Sequence, residues 1–172
     1  MKRNVSLLLF FALLSSGYLP AQERAKPGTI EVKTIDVSGV HRLITDRHGK
    51  LLLLNIWATW CQPCVEEFPD VERIRRSFAD SVADVAAISV DYPDEVESKI
   101  LPFLTSRHIT FPVYVSAVKK EEDFMNSLDS SWSGGVPATF IFDKHGQRRA
   151  FLFGQKSFDV FKSEIDSVMT AQ

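Results

Sequence analysis

Two cysteines, Cys61 and Cys64, are the only ones in this chain of 172 residues. They stand at i and i+3 in Trp60-Cys61-Gln62-Pro63-Cys64, after an apolar run and ahead of a segment with helical spacing. A cysteine at a helix N-terminus faces unpaired backbone N–H groups and the positive end of the helix dipole. Its thiolate is favoured there, which makes Cys61 the nucleophile. Cys64, one turn inside the helix and more buried, suits the part of resolving thiol. Pro63 fits the first helical turn, where its missing N–H costs nothing. With no third cysteine as an alternative partner, the pair points to thiol–disulfide exchange.

Other chemistries use the same residue types. A purely structural disulfide between these positions would close a very short loop and gain little, because the entropic benefit grows with loop length. Zinc needs four ligands, and His41, His48, His108 and His145 are scattered, with none at ligand spacing, so no metal site is assigned. Two thiolates do suit Cu(I), which prefers soft sulfur, so a copper-binding or copper-delivery module stays open, to be decided by anaerobic Cu(I) titration.

The elements that must hold the pair follow from hydrophobic patterning. Leu51 to Trp57 (LLLLNIW) is nearly continuous apolar sequence, as in a strand buried on both faces. Residues 64–78 carry Val65, Phe68, Val71, Ile74 and Phe78 at helical spacing. Thr29 to Asp36 alternates like an edge strand, Val85 to Val90 is a second buried strand, and Phe111 to Ser116 a further one. Pro93 to His108 reads as helix with a break or start near Leu101, because Pro102 lies inside it. Residues 120–128 form a short helix, and Ala138 to Asp143 and Arg148 to Phe153 a hairpin around Lys144-His145-Gly146-Gln147. Ser157 to Met169 closes as an amphipathic helix with Ser157 as N-cap and Phe158, Phe161, Ile165 and Val168 on one face. The order β-β-α-β-α-β-α-β-β-α gives parallel pairing with an antiparallel hairpin at the end. The fold class is α/β, a mixed sheet with helices on both faces.

Lys2 and Arg3 precede a run from Val5 to Leu14 that is apolar except for Ser6, and small and polar residues follow to Ala21. This is the layout of a secretory signal peptide, shorter than the roughly 20 residues of a spanning helix. Cleavage after Ala21 is expected, with Gly17 a second option and an uncleaved anchor through Leu19 the alternative, so the membrane is a partner only in that last case. Residues 22–29 read as a polar lead-in, and 30–172 as the domain. Without residues 1–21, 18 basic residues face 22 acidic ones, a net charge of −4. That balance excludes the basic stripe of a nucleic-acid binder.

The stretch Leu54-Asn55-Ile56-Trp57-Ala58-Thr59-Trp60-Cys61-Gln62-Pro63-Cys64-Val65-Glu66-Glu67-Phe68-Pro69 resembles the thioredoxin superfamily, most closely its TlpA/ResA-like branch of exported oxidoreductases. Gly135-Val136-Pro137-Ala138-Thr139-Phe140-Ile141-Phe142-Asp143, followed by Gly146 and Gly154, matches a second motif of that family. The resemblance spans roughly residues 30–170 and implies a thioredoxin-like fold, with an N-terminal strand extension and a central insertion from about Asp94 to Gly134. It implies that Cys61 attacks a partner's disulfide and Cys64 resolves the mixed disulfide. It also implies that Val136–Pro137 is a cis bond, that Val136 and Pro137 shape the substrate groove, that Trp60 covers one side of the disulfide, and that Pro69 kinks the helix. Thioredoxin's buried aspartate is Asn55 here, and the branch's proton acceptor for the second thiol falls on Glu67. Glu66 should be a solvated surface charge by contrast, and Trp57 and Phe68 core residues. Lys119 to Trp132 matches the family loosely, with Phe124, Leu128 and Trp132 packing inward.

The function so implied is an exported, periplasmic or cell-envelope thiol:disulfide oxidoreductase that needs no cofactor. It keeps target cysteines reduced, as family members do in cytochrome c maturation or metal-site assembly. Its partners would be cysteine-containing exported proteins and an upstream membrane electron donor. A peroxiredoxin-like peroxidase is the rival on the same fold, using a Thr-x-x-Cys setting without an adjacent Trp-Cys-x-Pro-Cys. Gln62 and Pro63 place no charge between the thiols and no N–H at Pro63 to bond the Cys61 sulfur, so a reductant is expected, with a potential nearer thioredoxin's about −270 mV than the about −120 mV of DsbA.

Overall fold

Seven consecutive residues, Leu51–Trp57, are all buried, and the remaining elements cover them on both sides. The computed structural model describes residues 30–171 except Ala79. The expected signal peptide and lead-in, residues 1–29, therefore lie outside the described residues.

In chain order the elements are β1 (Val32–Ile35), α1 (Val37–Thr45), β2 (Leu51–Trp57), α2 (Gln62–Ser77) and β3 (Ala83–Ser89). A 3-10 turn (Pro93–Glu95) and a π-helical stretch (Val96–Ile100) then run into α3 (Leu101–Ser106). After these come β4 (Val113–Ser116), α4 (Glu121–Leu128), β5 (Ala138–Phe142), β6 (Arg148–Phe153) and α5 (Phe158–Thr170). The six strands form one sheet in the order β1-β4-β3-β2-β5-β6. β2 pairs parallel with β3 and antiparallel with β5, in register Asn55↔Thr139 and Ile56↔Ala138. This is a thioredoxin-like mixed sheet.

Alternation along β2 divides the core in two. Leu51, Leu53 and Trp57 join residues of α2, α3 and α5, among them Phe68, Val71, Leu104, Phe161 and Ile165. Leu52, Leu54 and Ile56 join Val40 and Ile44 of α1, Phe124 and Leu128 of α4, and Trp132. Trp57 and Phe68 are fully buried with ring centroids 4.2 Å apart, and so belong to the core.

The structure corrects several element boundaries. The helix α1 is absent from the sequence-based order because Gly39 weakens the local signal. That glycine is required by packing, since a Cβ there would lie 2.7 Å from Ile35 Cγ1. Asp36 caps the helix, its carboxylate accepting from Gly39 N at 2.7 Å. The helical stretch expected over Pro93 to His108 does start anew at Leu101, with Pro102 in the first turn of α3, whereas the part before it is a 3-10 turn and a π-helical stretch. Strand β4 starts at Val113 rather than Phe111, because Pro112 has no N–H to enter the ladder. Ser157 stands at the N-cap of α5, but its hydroxyl makes no capping bond.

The chain from 119 to 132 does pack Phe124, Leu128 and Trp132 inward. Its last residue does more, since the Trp132 indole N–H donates to the Gly135 carbonyl at 2.9 Å, just ahead of Val136 and Pro137. Asp129 pairs with Arg148 of β6 and ties the same segment to the sheet edge. Trp132→Phe, which keeps the ring but loses this bond, should cost about 1 kcal/mol. Trp132→Ala should cost about 3–5 kcal/mol by opening a cavity in the second core. Urea denaturation measures both, and a Trp132→Phe variant as stable as the wild type would mean the indole N–H contributes nothing.

Candidate active site

The cysteine pair lies at the carboxyl end of the central strand, where open α/β sheets place their sites. Cys61 is the N-cap of α2 in extended conformation, and Pro63 falls in the first turn. The two residues are joined by a disulfide with their Cα atoms 5.2 Å apart. Cys64 is 0% exposed and Cys61 5%, so the first sulfur is the more accessible. Cys61 Sγ accepts from the Cys64 backbone N–H at 3.3 Å. Pro63 indeed offers no N–H, and the next residue supplies the donor instead. That bond and the helix N-terminus both favour negative charge on Cys61.

The loop before Cys61 is held by a side chain that sequence reasoning missed. Asp91, buried beyond the end of β3, accepts from Thr59 N at 2.8 Å and from Thr59 Oγ1 at 2.7 Å. Ser89 donates to the same carboxylate. The signal was Asp91 itself, an acid two residues beyond an apolar strand. Trp60, which follows Thr59, is 67% exposed beside Cys61.

Val136–Pro137 is a cis peptide bond. Ala138, the next residue, pairs with Ile56, so this loop reaches the same end of the sheet as the thiols. Val136 is half-buried against the core cluster that contains Cys61 and Cys64. Gly154 N donates to the Pro137 carbonyl at 2.9 Å, tying the loop to the end of β6.

Glu66 and Glu67 differ sharply. Glu66 is exposed and accepts only from Gln62, at 2.9 Å. Glu67 is 1% exposed, on the buried face of α2 with Cys64, Phe68 and Val71. Its Oε1 accepts from Asn55 Nδ2 at 2.8 Å, and its Oε2 from the Lys156 backbone N–H at 2.9 Å. Asn55 Nδ2 also donates to Thr139 Oγ1 at 2.9 Å. Asn55 faces α2 because Leu51, Leu53 and Trp57, at alternate positions of the same strand, do so as well. Thr139 and Lys156 were not singled out in the sequence. Thr139 was findable as a polar residue inside the apolar strand Ala138–Phe142, whereas Lys156 acts through its backbone and left no signal. Among the described residues, no group of three or more His, Cys, Asp or Glu side chains is placed to hold a metal ion. Pro69 lies inside α2 and withholds one helical hydrogen bond there.

Burial pushes the Glu67 carboxyl up to about 7 from an ordinary 4.5, with the Lys156 N–H and the Asn55 amide pulling it partly back. The native state thus binds this proton more tightly than the unfolded chain does. The stability tied to the neutral carboxyl is complete below about 4.5 and is lost as pH rises through about 7. A rise of about 2.5 units corresponds to on the order of 3 kcal/mol. In the oxidised protein, Glu67→Gln should gain on the wild type across this window by up to that amount, read from urea denaturation at a series of pH values. A stability difference that does not change with pH would contradict the burial argument.

The neighbourhood in sequence agrees with this geometry. A family model described as the AhpC/TSA family matches residues 26–150. Thioredoxin-like protein YneN of Bacillus subtilis (strain 168) is 31% identical over 145 residues, 84% of this chain and 79% of that protein. Thiol-disulfide oxidoreductase ResA of Geobacillus thermodenitrificans (strain NG80-2) is 26% identical over 133 residues, 77% of this chain and 71% of its own. A thiol:disulfide interchange protein of the thioredoxin family from Chlorobium tepidum TLS shares the fold, with a TM-score of 0.61 at 21% identity over 72% of this chain and 83% of that one. The Thr-x-x-Cys setting of a peroxidase is missing, since Ala58 stands three before Cys61 and Cys61 itself three before Cys64. The chain belongs to the AhpC/TSA family, on its thioredoxin-fold branch of thiol:disulfide oxidoreductases.

Proposed function

We propose that this protein is exported and reduces disulfides in other exported proteins. The observation that carries the reading is the Cys61–Cys64 pair, with Cys61 at the N-cap of α2 accepting from Cys64 N and Cys64 fully buried behind it. In the reduced protein the Cys61 thiolate attacks one sulfur of a target disulfide. The target bond breaks, a Cys61–target disulfide forms, and the first target sulfur leaves and takes a proton from water. Cys64 then gives its proton to the Glu67 carboxylate, and its thiolate attacks the Cys61 sulfur. The Cys61–Cys64 bond forms, the mixed disulfide breaks, and the second target sulfur leaves as a thiolate that takes the proton back from Glu67. Two electrons pass from the enzyme to the target, with one proton supplied by Cys64 through Glu67 and one by water.

A protein rather than a small molecule as substrate is supported by the surface around the thiols. Trp60, Tyr92 and Phe153 are 67%, 74% and 57% exposed, and they follow or end strands β2, β3 and β6 at the end of the sheet that carries the cysteines. Exposed aromatic side chains grouped in this way mark interaction surfaces. In this reading Trp60, Val136 and Pro137 contact the substrate chain. Export is supported by the charged start and apolar run of residues 2–14. An envelope or periplasmic location makes a membrane electron donor the source of reducing equivalents.

Cys61→Ser should abolish reduction of insulin disulfides and trap no partner, whereas Cys64→Ser should accumulate mixed disulfides whose attached proteins name the substrates. Faster alkylation of Cys64 than of Cys61 in the reduced protein would reverse the assignment. Equilibration against glutathione tests direction. A potential nearer about −270 mV fits a reductant, and one above roughly −180 mV would make the protein an oxidant or isomerase.

A further inference from the structure

Asn55 is 0% exposed, and its Oδ1 is buried with no hydrogen-bond partner among the described residues. Both hydrogens of its amide nitrogen are used, one on Glu67 Oε1 at 2.8 Å and one on Thr139 Oγ1 at 2.9 Å. Glu67 for its part receives donors on both oxygens, from Asn55 and from the Lys156 backbone. A carboxyl surrounded only by donors is arranged for its ionised form, because a protonated oxygen would face an N–H. The same side chain must nevertheless be neutral for part of the catalytic cycle if it takes a proton from Cys64.

An amide can serve both states where a carboxylate or an apolar residue cannot. Rotating the Asn55 amide by half a turn exchanges Oδ1 and Nδ2. The oxygen then accepts from protonated Glu67 and from the Thr139 hydroxyl, which is both donor and acceptor. Three hydrogen bonds hold Glu67 and Asn55 before the rotation, counting the Lys156 N–H, and three hold them after it. The pair can be aligned because Asn55 and Thr139 face each other across β2 and β5, where opposed side chains are within reach. The partnerless Oδ1 is the atom that this second state would use.

We propose that Asn55, pinned by Thr139, is a positioning residue whose amide reverses as Glu67 gains and loses its proton, keeping the carboxyl hydrogen-bonded in both states. The proposal rests on the reading of Glu67 as proton acceptor for Cys64. It places asparagine on the strand as the partner of the glutamate on the helix. Asn55 is then more than a missing aspartate. The remaining charged groups around Glu67 are Asp70, on the next turn of α2, which opposes ionisation, and Lys156, on the loop before α5, which favours it. Neither reaches the carboxyl in both of its states as a reversible donor and acceptor.

The test uses the full oxidised domain, in which the cysteines do not titrate, with 13C-labelled glutamate and 15N-labelled asparagine followed by NMR through the pH range. The Glu67 carboxyl should titrate near 7, and the Asn55 side-chain amide resonances should move with the same midpoint. In Glu67→Gln those amide resonances should stay flat. Asn55→Leu, which removes the donor to the ionised carboxyl, should raise the Glu67 midpoint by about one unit. Asn55→Asp should split the titration into two coupled steps, the upper one above the wild-type midpoint. Thr139→Val provides a milder variant that leaves the β2 strand intact, and Thr139→Ser should restore the wild-type amide behaviour. Asn55 resonances that ignore the Glu67 titration, or an unchanged midpoint in Asn55→Leu, overturn the proposal. The underlying reading is decided separately by the pH profile of release from a Cys61-linked model peptide. A Glu67→Gln profile like the wild type removes the proton-acceptor role and this inference with it. An altered Glu67→Gln profile together with an unshifted Asn55→Leu titration removes the inference alone.

Discussion

The arrangement of this protein depends on one strand that cannot be left uncovered. β2 is apolar at six of its seven positions, so water must be excluded from both of its faces. That requirement brings α2 and α5 to one side and α1 and α4 to the other, while β3 and β5 pair with β2 on either flank inside the sheet. It also decides where the cysteines go. The chain leaves the buried strand at Trp57 and re-enters regular structure four residues later as the cap of α2, so Cys61 is delivered to a helix N-terminus at the rim of the core. Only Asn55 breaks the apolar run, and it does so on the face that α2 covers.

The same region shows how few polar contacts hold a reactive loop. Asp91 fixes Thr59 on one side of the thiols, and Trp132 and Gly154 fix the loop of Val136 and Pro137 on the other. Farther along α2, buried Glu72 accepts from Thr110 N and Thr110 Oγ1 at 2.9 and 2.8 Å, anchoring the helix to the segment after α3. Each of these acids is buried with its oxygens supplied with donors, as buried polar groups require. Glu67 differs in having its donors outweighed by burial, and this is what moves its titration into the neutral range.

Much of this could be read from the residues in order. The nearly continuous apolar run Leu51–Trp57 and the apolar stretch Val85 to Val90, which the structure places within and just past Ala83–Ser89, announced the central parallel pair, and the cysteines at i and i+3 announced the nucleophile. The family resemblance pointed to Glu67, and the i,i+3 spacing from Cys64 put it on the same side of the helix and Glu66 elsewhere. The helix α1 escaped notice because a glycine chosen for its contact with Ile35 looks, in sequence, like a break. In the segment from Pro93 to Ser106 the start of α3 at Leu101 was legible from Pro102, but the 3-10 and π-helical turns before it were not, because a proline marks an interruption without saying which kind of turn replaces the regular helix. Asp91, Thr139 and Lys156 lie 32 to 89 residues from the partners they serve, and no local pattern records such pairings.

The contact between Trp132 and Gly135 joins the two halves of the core in an unusual way. Trp132 belongs to the layer of α1 and α4, on the side of the sheet away from α2 and the thiols. The carbonyl it holds belongs to the loop that meets those thiols. The loop beside the thiols is thus held from both layers, through Trp132 on one side of the sheet and through Val136 against the cluster of Cys61 and Cys64 on the other. Substitutions in α4 that move Trp132 can therefore reshape the loop of Val136 and Pro137 while leaving Cys61 in place at the cap of α2. Across thiol:disulfide oxidoreductases built on this fold, the loop's shape and the thiol's seat can in that way change at different rates.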